Sequence, residues 1–178
     1  MSKLNEGRVA IVTGGGRGIG REHCLMLAGG GAKVVVNDLG GDAAGSGADL
    51  SPAQEVVAEI EAMGGEAVVN GANVANFDEA KALIDQAVDT FGGLDILINN
   101  AGILRDRMLF SMDESDWDAV IAVHLKGTYG PSHHAATYWR ERSKQGLEND
   151  ARIINTASPS GIYGNIGQTN YGAAKAGI

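Results

Sequence analysis

The stretch Thr13-Gly14-Gly15-Gly16-Arg17-Gly18-Ile19-Gly20 lies between an apolar run and a run with helical character. The apolar run, residues 8–12, predicts a first strand, and residues 18–28 predict a first helix. Glycines at such a junction allow a tight turn and let backbone amides approach a pyrophosphate. The spacing is T-G-x-x-x-G-x-G rather than the strict G-x-G-x-x-G, so the glycines alone also fit an ordinary loop. Their position between strand and helix favours dinucleotide binding.

Four further strands follow, each separated from the next by a helical pattern. The predicted strands cover residues 34–36, 67–70, 94–98 and 152–155. Apolar residues at spacings of three and four predict a helix over residues 77–91. Strands that alternate with helices predict parallel pairing with right-handed crossovers. The sequence therefore predicts an α/β fold: a single Rossmann-like, doubly wound domain over residues 1–178 with a five-stranded parallel sheet.

Three segments between these elements carry more specific expectations. Ser51-Pro52 is typical of a helix N-cap followed by a first-turn proline, and residues 40–47 predict an exposed loop. Residues 113–143 predict long helical material. A kink or break is expected in it at Gly127, Gly130 and Pro131. Four carboxylates are interpreted as the solvated face of this helix, namely Asp113, Glu114, Asp116 and Asp118.

The 178 residues include 14 basic and 22 acidic side chains, for a net charge of -8. This acidity argues against nucleic-acid binding, for which a basic surface is typical. No stretch has the length of a membrane span and the amino terminus is no signal peptide, so we expect a cytoplasmic protein with no membrane partner. The single cysteine, Cys24, fits a reducing compartment and a buried apolar role. No metal site is expected, because His133 and His134 would point away from one another on a helix.

Asp38 ends the second predicted strand, where a carboxylate can accept hydrogen bonds from both hydroxyls of an adenosine ribose. The same charge would repel a 2′-phosphate, so the residue favours NAD over NADP. An aspartate that only caps the strand-end loop is the alternative. Arg17 and Arg21 keep NADP open as a cofactor, although an arginine would have to overcome Asp38.

Tyr171 and Lys175 are four residues apart, with Ser158 upstream. Residues at i and i+4 share one face of a helix, so the ammonium can lie beneath the phenol. A free tyrosine has a pKa of about 10, and a nearby cation stabilises its phenolate. An isolated pair of this kind is more often a solvated helix face, and this one gains weight from the glycine loop and Asp38.

Together, the glycine loop, the run Asn99-Asn100-Ala101-Gly102, and Ser158 with Tyr171 and Lys175 resemble the short-chain dehydrogenase/reductase family. The resemblance covers essentially the whole chain. It implies an oxidoreductase that moves a hydride between a nicotinamide cofactor and a secondary alcohol or ketone, on a sheet of order 3-2-1-4-5. In the family the helix near Tyr171 runs on and further strands follow. We therefore expect a carboxyl-terminally incomplete domain whose full-length form is a homo-oligomer, either dimer or tetramer.

The resemblance also implies roles for individual residues. Ser158 would orient the substrate oxygen, Tyr171 would exchange its proton, and Lys175 would bind the nicotinamide ribose. His124 stands where most members have an asparagine, and we interpret it as a variant proton relay or, alternatively, as a packed helix residue. The residues expected to bind the cofactor are Thr13, Gly14, Gly16, Arg17, Gly18, Ile19, Gly20, Asp38, Leu39, Asn73, Val74, Asn99, Ala101, Gly102, Tyr171 and Lys175.

A closer likeness lies in the runs VNDLGGD, GILRDR and SGIYGN, at residues 36–42, 102–107 and 160–165. They resemble the family branch that contains the (3R)-hydroxyacyl-CoA dehydrogenase unit of multifunctional enzyme type 2, also known as a 17β-hydroxysteroid dehydrogenase, and its bacterial relatives. This branch implies lipid metabolism, with NAD and a 3-hydroxyacyl-CoA or hydroxysteroid-like small molecule as substrate. Two alternatives stay open: an NADPH-dependent 3-ketoacyl reductase, and an inactive dinucleotide-binding fragment.

Overall fold

Five short strands rich in valine and isoleucine form the centre of the computed structural model, which describes residues 4–178. The three central ones are largely buried, because helices cover both faces of the sheet and leave little room for polar side chains. The strands are β1 (Val9–Thr13), β2 (Lys33–Asn37), β3 (Glu66–Asn70), β4 (Ile96–Asn99) and β5 (Arg152–Asn155). All four neighbouring pairs are parallel, and the order is β3-β2-β1-β4-β5. The predicted fold class and strand order are confirmed.

The described part of the chain, residues 4–178, contains seven α-helices, of which the first five lie between strands and the last two follow β5. They are α1 (Gly18–Gly29), α2 (Ser51–Ala62), α3 (Phe77–Phe91), α4 (Glu114–Ile121), α5 (Gly127–Lys144), α6 (Ser160–Tyr163) and α7 (Thr169–Gly177). Helices α1 and α2 pack on one face of the sheet, and α3 and α5 pack on the other. None of the helices within residues 4–178 is both long and apolar enough to cross a bilayer.

The prediction of a kink or break at Gly127, Gly130 and Pro131 was wrong, because the helical backbone continues through all three residues. Residues Ala122–Lys126 form a π-helical segment between α4 and α5, and α5 then runs unbroken through Pro131. Gly127 serves close packing instead, since a Cβ there would lie 2.8 Å from the Val74 side chain. The prediction for Ser51 was wrong by one position, because Ser51 is already helical and its backbone N–H donates to Asp49 at 2.9 Å.

The segment after β2 is exposed, as predicted for residues 40–47, except at Gly40, which is buried. It is also well organised. Asp42 accepts hydrogen bonds from the backbone N–H groups of Ala44 and Ser46, both at 2.9 Å. The segment then crosses the end of the sheet to the loop that follows β4, where the Arg105 guanidinium donates to the Ala44 carbonyl at 2.9 Å. We call residues 41–45 the strap.

Candidate active site

A cleft of about 530 Å³ opens at the carboxyl ends of β1, β2 and β4. The sheet continues from β1 with β2 and β3 on one side and with β4 and β5 on the other. Ligands of doubly wound folds usually bind where the strand order reverses in this way. The strap covers one side of the cleft. Eight residues predicted to bind the cofactor line it: Gly14, Arg17, Asp38, Leu39, Asn73, Val74, Ala101 and Gly102.

The glycine loop at the floor of the cleft leaves no room for side chains on its inner side. A Cβ on Gly20 would lie 2.0 Å from the Gly14 carbonyl oxygen, and Gly14 itself has a φ of +63°. Gly18, at the first position of α1, has open space around its missing side chain. Backbone N–H groups at the amino terminus of a helix attract anions. The loop therefore fits the pyrophosphate of a dinucleotide.

Asp38 lies directly beside this loop, at the end of β2. Its two carboxylate oxygens accept hydrogen bonds from Gly16 N–H at 2.8 Å and Gly40 N–H at 2.7 Å. These bonds fix the orientation of the carboxylate at the rim of the cleft. The two arginines that kept NADP open are already occupied: Arg17 donates to the strap carbonyl of Gly41 at 3.0 Å, and Arg21 pairs with Glu22 and Glu59.

The other eight predicted cofactor residues lie outside the lining of the cleft: Thr13, Gly16, Gly18, Ile19, Gly20, Asn99, Tyr171 and Lys175. Thr13 is buried beneath it and accepts hydrogen bonds from Asn100 and Ala101 N–H at 3.0 and 3.1 Å. Asn99 is also buried and donates to Asn155. Ile19 is 64% exposed on α1. Their contacts with a cofactor stay predictions.

Asn100 was missed at the sequence level, although its amide holds the glycine loop through the Thr13 and Gly14 carbonyls, both at 3.1 Å. Its place in the Asn99-Asn100-Ala101-Gly102 run was the available signal.

Lys175 and Tyr171 lie together on α7, as their spacing predicted. The Lys175 side chain is only 6% exposed, and its Nζ lies 5.7 Å from the centroid of the Tyr171 ring. The ammonium donates to the Thr156 carbonyl at the end of β5. Burial lowers the pKa of Lys175. The cation is thus largely removed from water, which strengthens its effect on a neighbouring phenol.

His124 meets the same tyrosine from the π-helical segment. The two rings form an edge-to-face contact with centroids 5.1 Å apart. Its Nε2 lies 2.8 Å from the Ile103 carbonyl, and its Nδ1 is buried without a hydrogen-bond partner among the described residues. Burial lowers the pKa of His124; the Ile103 hydrogen bond opposes this shift and the charge of Lys175 adds to it. Burial therefore favours the neutral form of the ring.

Ser158 precedes the short helix α6, which packs tightly on α7. A Cβ on Gly161 would lie 2.7 Å from the backbone of Lys175 and Ala176, so only glycine allows this approach. The Ser158 hydroxyl is half-buried and accepts a hydrogen bond from Ser160 N–H at 3.2 Å. The fold thus brings a serine-bearing turn against the helix that carries Tyr171 and Lys175. We call His124, Ser158, Tyr171 and Lys175 the candidate catalytic cluster.

Residues 8–178 match the family model described as short chain dehydrogenase. The chain belongs to the short-chain dehydrogenase family. Its members are oxidoreductases that act on CH–OH groups with NAD or NADP. The predicted family and the general reaction class are confirmed.

Individual short-chain dehydrogenases show the same likeness. The chain is 52% identical over 173 residues to peroxisomal multifunctional enzyme type 2 of Drosophila melanogaster, covering 97% of this chain and 27% of that protein. It is 46% identical over 177 residues to a hydroxyacyl-CoA dehydrogenase of Mycobacterium tuberculosis, covering 97% of this chain and 53% of that one. A crystal structure of a short chain dehydrogenase from Mycobacterium avium superposes with a TM-score of 0.92 at 58% identity, over 98% of this chain and 60% of its own. The chain thus spans only part of the length of these relatives.

Two interpretations of individual side chains were wrong. Asp116 is not on a solvated face: its side chain is 15% exposed and lies 3.7 Å from Arg105 and 3.8 Å from Arg107. His133 and His134 do not point apart, since their rings lie 5.1 Å from one another. Among residues 4–178, no group of three or more His, Cys, Asp or Glu is arranged to hold a metal ion.

Proposed function

We propose that this chain carries the NAD-binding and hydride-transfer site of a dehydrogenase that oxidises a secondary alcohol, with 3-hydroxyacyl-CoA as the first substrate class to test. The observation that carries the proposal is the buried contact of Lys175 and His124 with Tyr171, next to a dinucleotide-sized cleft. The substrate class is supported by the 46% identity to a hydroxyacyl-CoA dehydrogenase.

The choice of NAD rests on Asp38. Because Gly16 and Gly40 hold its carboxylate at the rim of the cleft, an adenosine ribose bound there would meet two oriented acceptors. A 2′-phosphate at the same place would meet a negative charge. Neither Arg17 nor Arg21 offsets this charge, since the first binds the strap and the second pairs with two glutamates.

A nicotinamide cofactor bound in the cleft would supply the acceptor for the hydride that leaves the substrate carbon. Tyr171 takes the proton from the substrate hydroxyl, and Ser158 orients that oxygen. Lys175 stabilises the ionised tyrosine from within a buried position. His124 passes the proton onward, since its unpartnered Nδ1 can accept one while Nε2 stays anchored on Ile103.

The test is formation of NADH by the purified chain with (3R)-hydroxyacyl-CoA esters and with a panel of other secondary alcohols. We expect turnover with NAD, weaker binding of NADP, and improved NADP binding by the Asp38→Ala variant. Turnover with NADP alone would overturn the cofactor assignment. Turnover only with alcohols that lack CoA would overturn the substrate class.

A second candidate is an NADPH-dependent 3-ketoacyl reductase. It is favoured by Arg17, which lies in the lining of the cleft and would be able to reach a 2′-phosphate if it left the strap. This reading predicts tighter binding of NADPH than of NADH to the unmodified chain. A third candidate, a dinucleotide-binding module without activity, predicts calorimetric binding of NAD and no turnover with any substrate of the panel.

A homo-oligomeric state and a cytoplasmic location belong to the proposal as well. The location is supported by the single, buried Cys24, which fits a reducing compartment. The peroxisome is the competing compartment, because the Drosophila relative is named as a peroxisomal enzyme. Cell fractionation with an antibody to the chain would separate the two.

A further inference from the structure

Asn170 directly precedes Tyr171 and is fully buried, with 0% exposure. Burying an amide side chain is unfavourable unless its polar atoms are hydrogen-bonded. Asn170 lies in the first turn of α7, where backbone N–H groups have no partner inside the helix. The hydrogen-bond partners of the Asn170 side chain therefore indicate its role.

The Asn170 side chain makes three hydrogen bonds to three different segments. Its amide nitrogen donates to the Arg105 carbonyl at 3.0 Å and to the Asp116 carbonyl at 3.1 Å. Its oxygen accepts from the Tyr171 backbone N–H at 2.8 Å. The first carbonyl belongs to the loop after β4, and the second belongs to α4. One side chain thus ties the start of α7 to both elements.

The loop after β4 also contacts His124 and the strap. The loop after β4 carries Ile103, which anchors His124, and Arg105, which binds the strap. The carboxylate of Asp116 faces Arg105 at 3.7 Å, so the two carbonyls that receive Asn170 are themselves held together. Displacing the start of α7 would move Tyr171 relative to both His124 and the cleft.

We propose that Asn170 is a positioning residue that sets the place of Tyr171 against the cleft and His124. It does so through the backbone, because its bonds fix the first turn of α7 rather than the phenol. This inference rests on the proposed function for its kinetic consequence, and its structural part can be tested without turnover.

The first experiment compares Asn170→Ala with Asn149→Ala. Asn149 is a control matched in its hydrogen bonds: its amide also donates to two acceptors, Trp139 O and Ser143 Oγ, and its oxygen also accepts one bond, from Arg142. Unlike Asn170 it is exposed, and it lies beyond the end of α5. We expect Asn170→Ala to lower kcat by about 100-fold with the Kd for NAD within about twofold, since a displacement near 1 Å has effects of this size. Asn149→Ala should leave kcat unchanged. Unchanged kcat in Asn170→Ala, or an equal loss of NAD affinity, would overturn the proposal.

The Asn170→Asp variant tests the positioning role through the pH dependence of kcat, which a purely structural role would leave unchanged. It also provides the test if Asn170→Ala does not fold. The ionised carboxylate cannot donate to Arg105 O or Asp116 O, whereas the protonated acid can donate one hydrogen bond. We therefore expect the kcat of Asn170→Asp, relative to wild type at the same pH, to rise as the pH falls. A ratio that does not change with pH would contradict the positioning role.

Hydrogen–deuterium exchange separates this inference from the proposed function. Asn170→Ala should speed exchange of the amides in residues 171–173, and Asn149→Ala should not. If the wild type shows no turnover but the exchange result holds, the proposed function fails and the role of Asn170 in holding Tyr171 stands. Unchanged exchange would mean that Asn170 does not hold α7.

Discussion

In the cleft, the glycine loop offers backbone N–H groups and the Asp38 carboxylate is held in place by backbone N–H groups, whereas in the candidate catalytic cluster every group expected to react is a side chain. The cleft is lined by the segments that follow β1, β2, β3 and β4, with further residues from α4 and the π-helical segment. The cluster draws His124, Ser158 and Tyr171 from three separate segments. Changes in the cleft should therefore alter binding, and changes in the cluster should alter turnover with binding preserved.

The largest expected effect comes from Tyr171→Phe. The variant keeps the ring that contacts His124 and Lys175 and removes only the hydroxyl. Loss of a positioned proton donor and acceptor lowers rates by about 100-fold to 10,000-fold, so kcat should fall by at least about 100-fold. Calorimetry should show NAD binding close to that of the wild type.

Tyr138→Phe is the matched control for this substitution, because Tyr138 lies on α5 and contacts Arg142. Its turnover should equal that of the wild type. If Tyr171→Phe lost NAD binding in proportion to turnover, the division between cleft and cluster would not hold.

The next effect is expected from Gly20→Ala in the cleft. The new methyl group would lie 2.0 Å from the Gly14 carbonyl, so the loop must move. Overpacking of this kind costs about 1–3 kcal/mol, which corresponds to roughly a tenfold or greater rise in the Kd for NAD. Isothermal titration calorimetry measures this change directly.

Gly29→Ala tests whether the effect belongs to the loop rather than to α1 as a whole. Gly29 is the last residue of the same helix, and a Cβ there meets open space. We expect unchanged NAD affinity and a gain in stability of up to about 1 kcal/mol, because alanine favours helix. Equal losses of affinity in both variants would point to the helix.

A smaller effect should appear in the pH dependence of stability. Burial lowers the pKa of His124 in the folded chain, so the unfolded chain binds more protons below about pH 6.5. The contribution of the neutral ring is fully present above that pH and is lost as the pH falls toward the folded value. His124→Asn should flatten the fall in unfolding temperature between about pH 7.5 and pH 5.

His133→Asn serves as the control for the pH series, since His133 is exposed on α5. It should keep the slope of the wild type. The same slope in His124→Asn would show that the buried ring of the cluster does not govern stability in this range.

The smallest effect is expected at Cys24, which lies under the glycine loop. Burial, with a contribution from the charge of Asp38, raises the pKa of the Cys24 thiol to about 12. The thiolate is the reactive form, so thiol reagents should not modify the folded chain at neutral pH. Mass spectrometry after alkylation checks this, and rapid modification of the native chain would show that the loop opens readily.

The same contrast explains what could be read from the sequence. The glycine loop and Asp38 were recognisable because each directly follows a strand, and the valines of that strand predict it from the sequence. The Tyr171 and Lys175 pair was recognisable because helix geometry fixes a spacing of four. Asn170 and Arg105 were not, since their partners are distant backbone carbonyls that leave no spacing in the sequence. The strap was correctly predicted as exposed, but nothing local indicates that it crosses to the loop after β4.

The π-helical segment Ala122–Lys126 has a consequence for how the chain can vary in length. A helix of this type contains more residues per turn than an α-helix, and isolated π turns commonly hold one extra residue. Deleting one residue there would leave an ordinary α-helical turn, so Ala135 and Trp139 would keep their places in the core. Deleting one residue within α5 itself would rotate the rest of that helix by about 100°. A single-residue deletion should therefore preserve the fold within residues 122–126 and disrupt it in the first turns of α5.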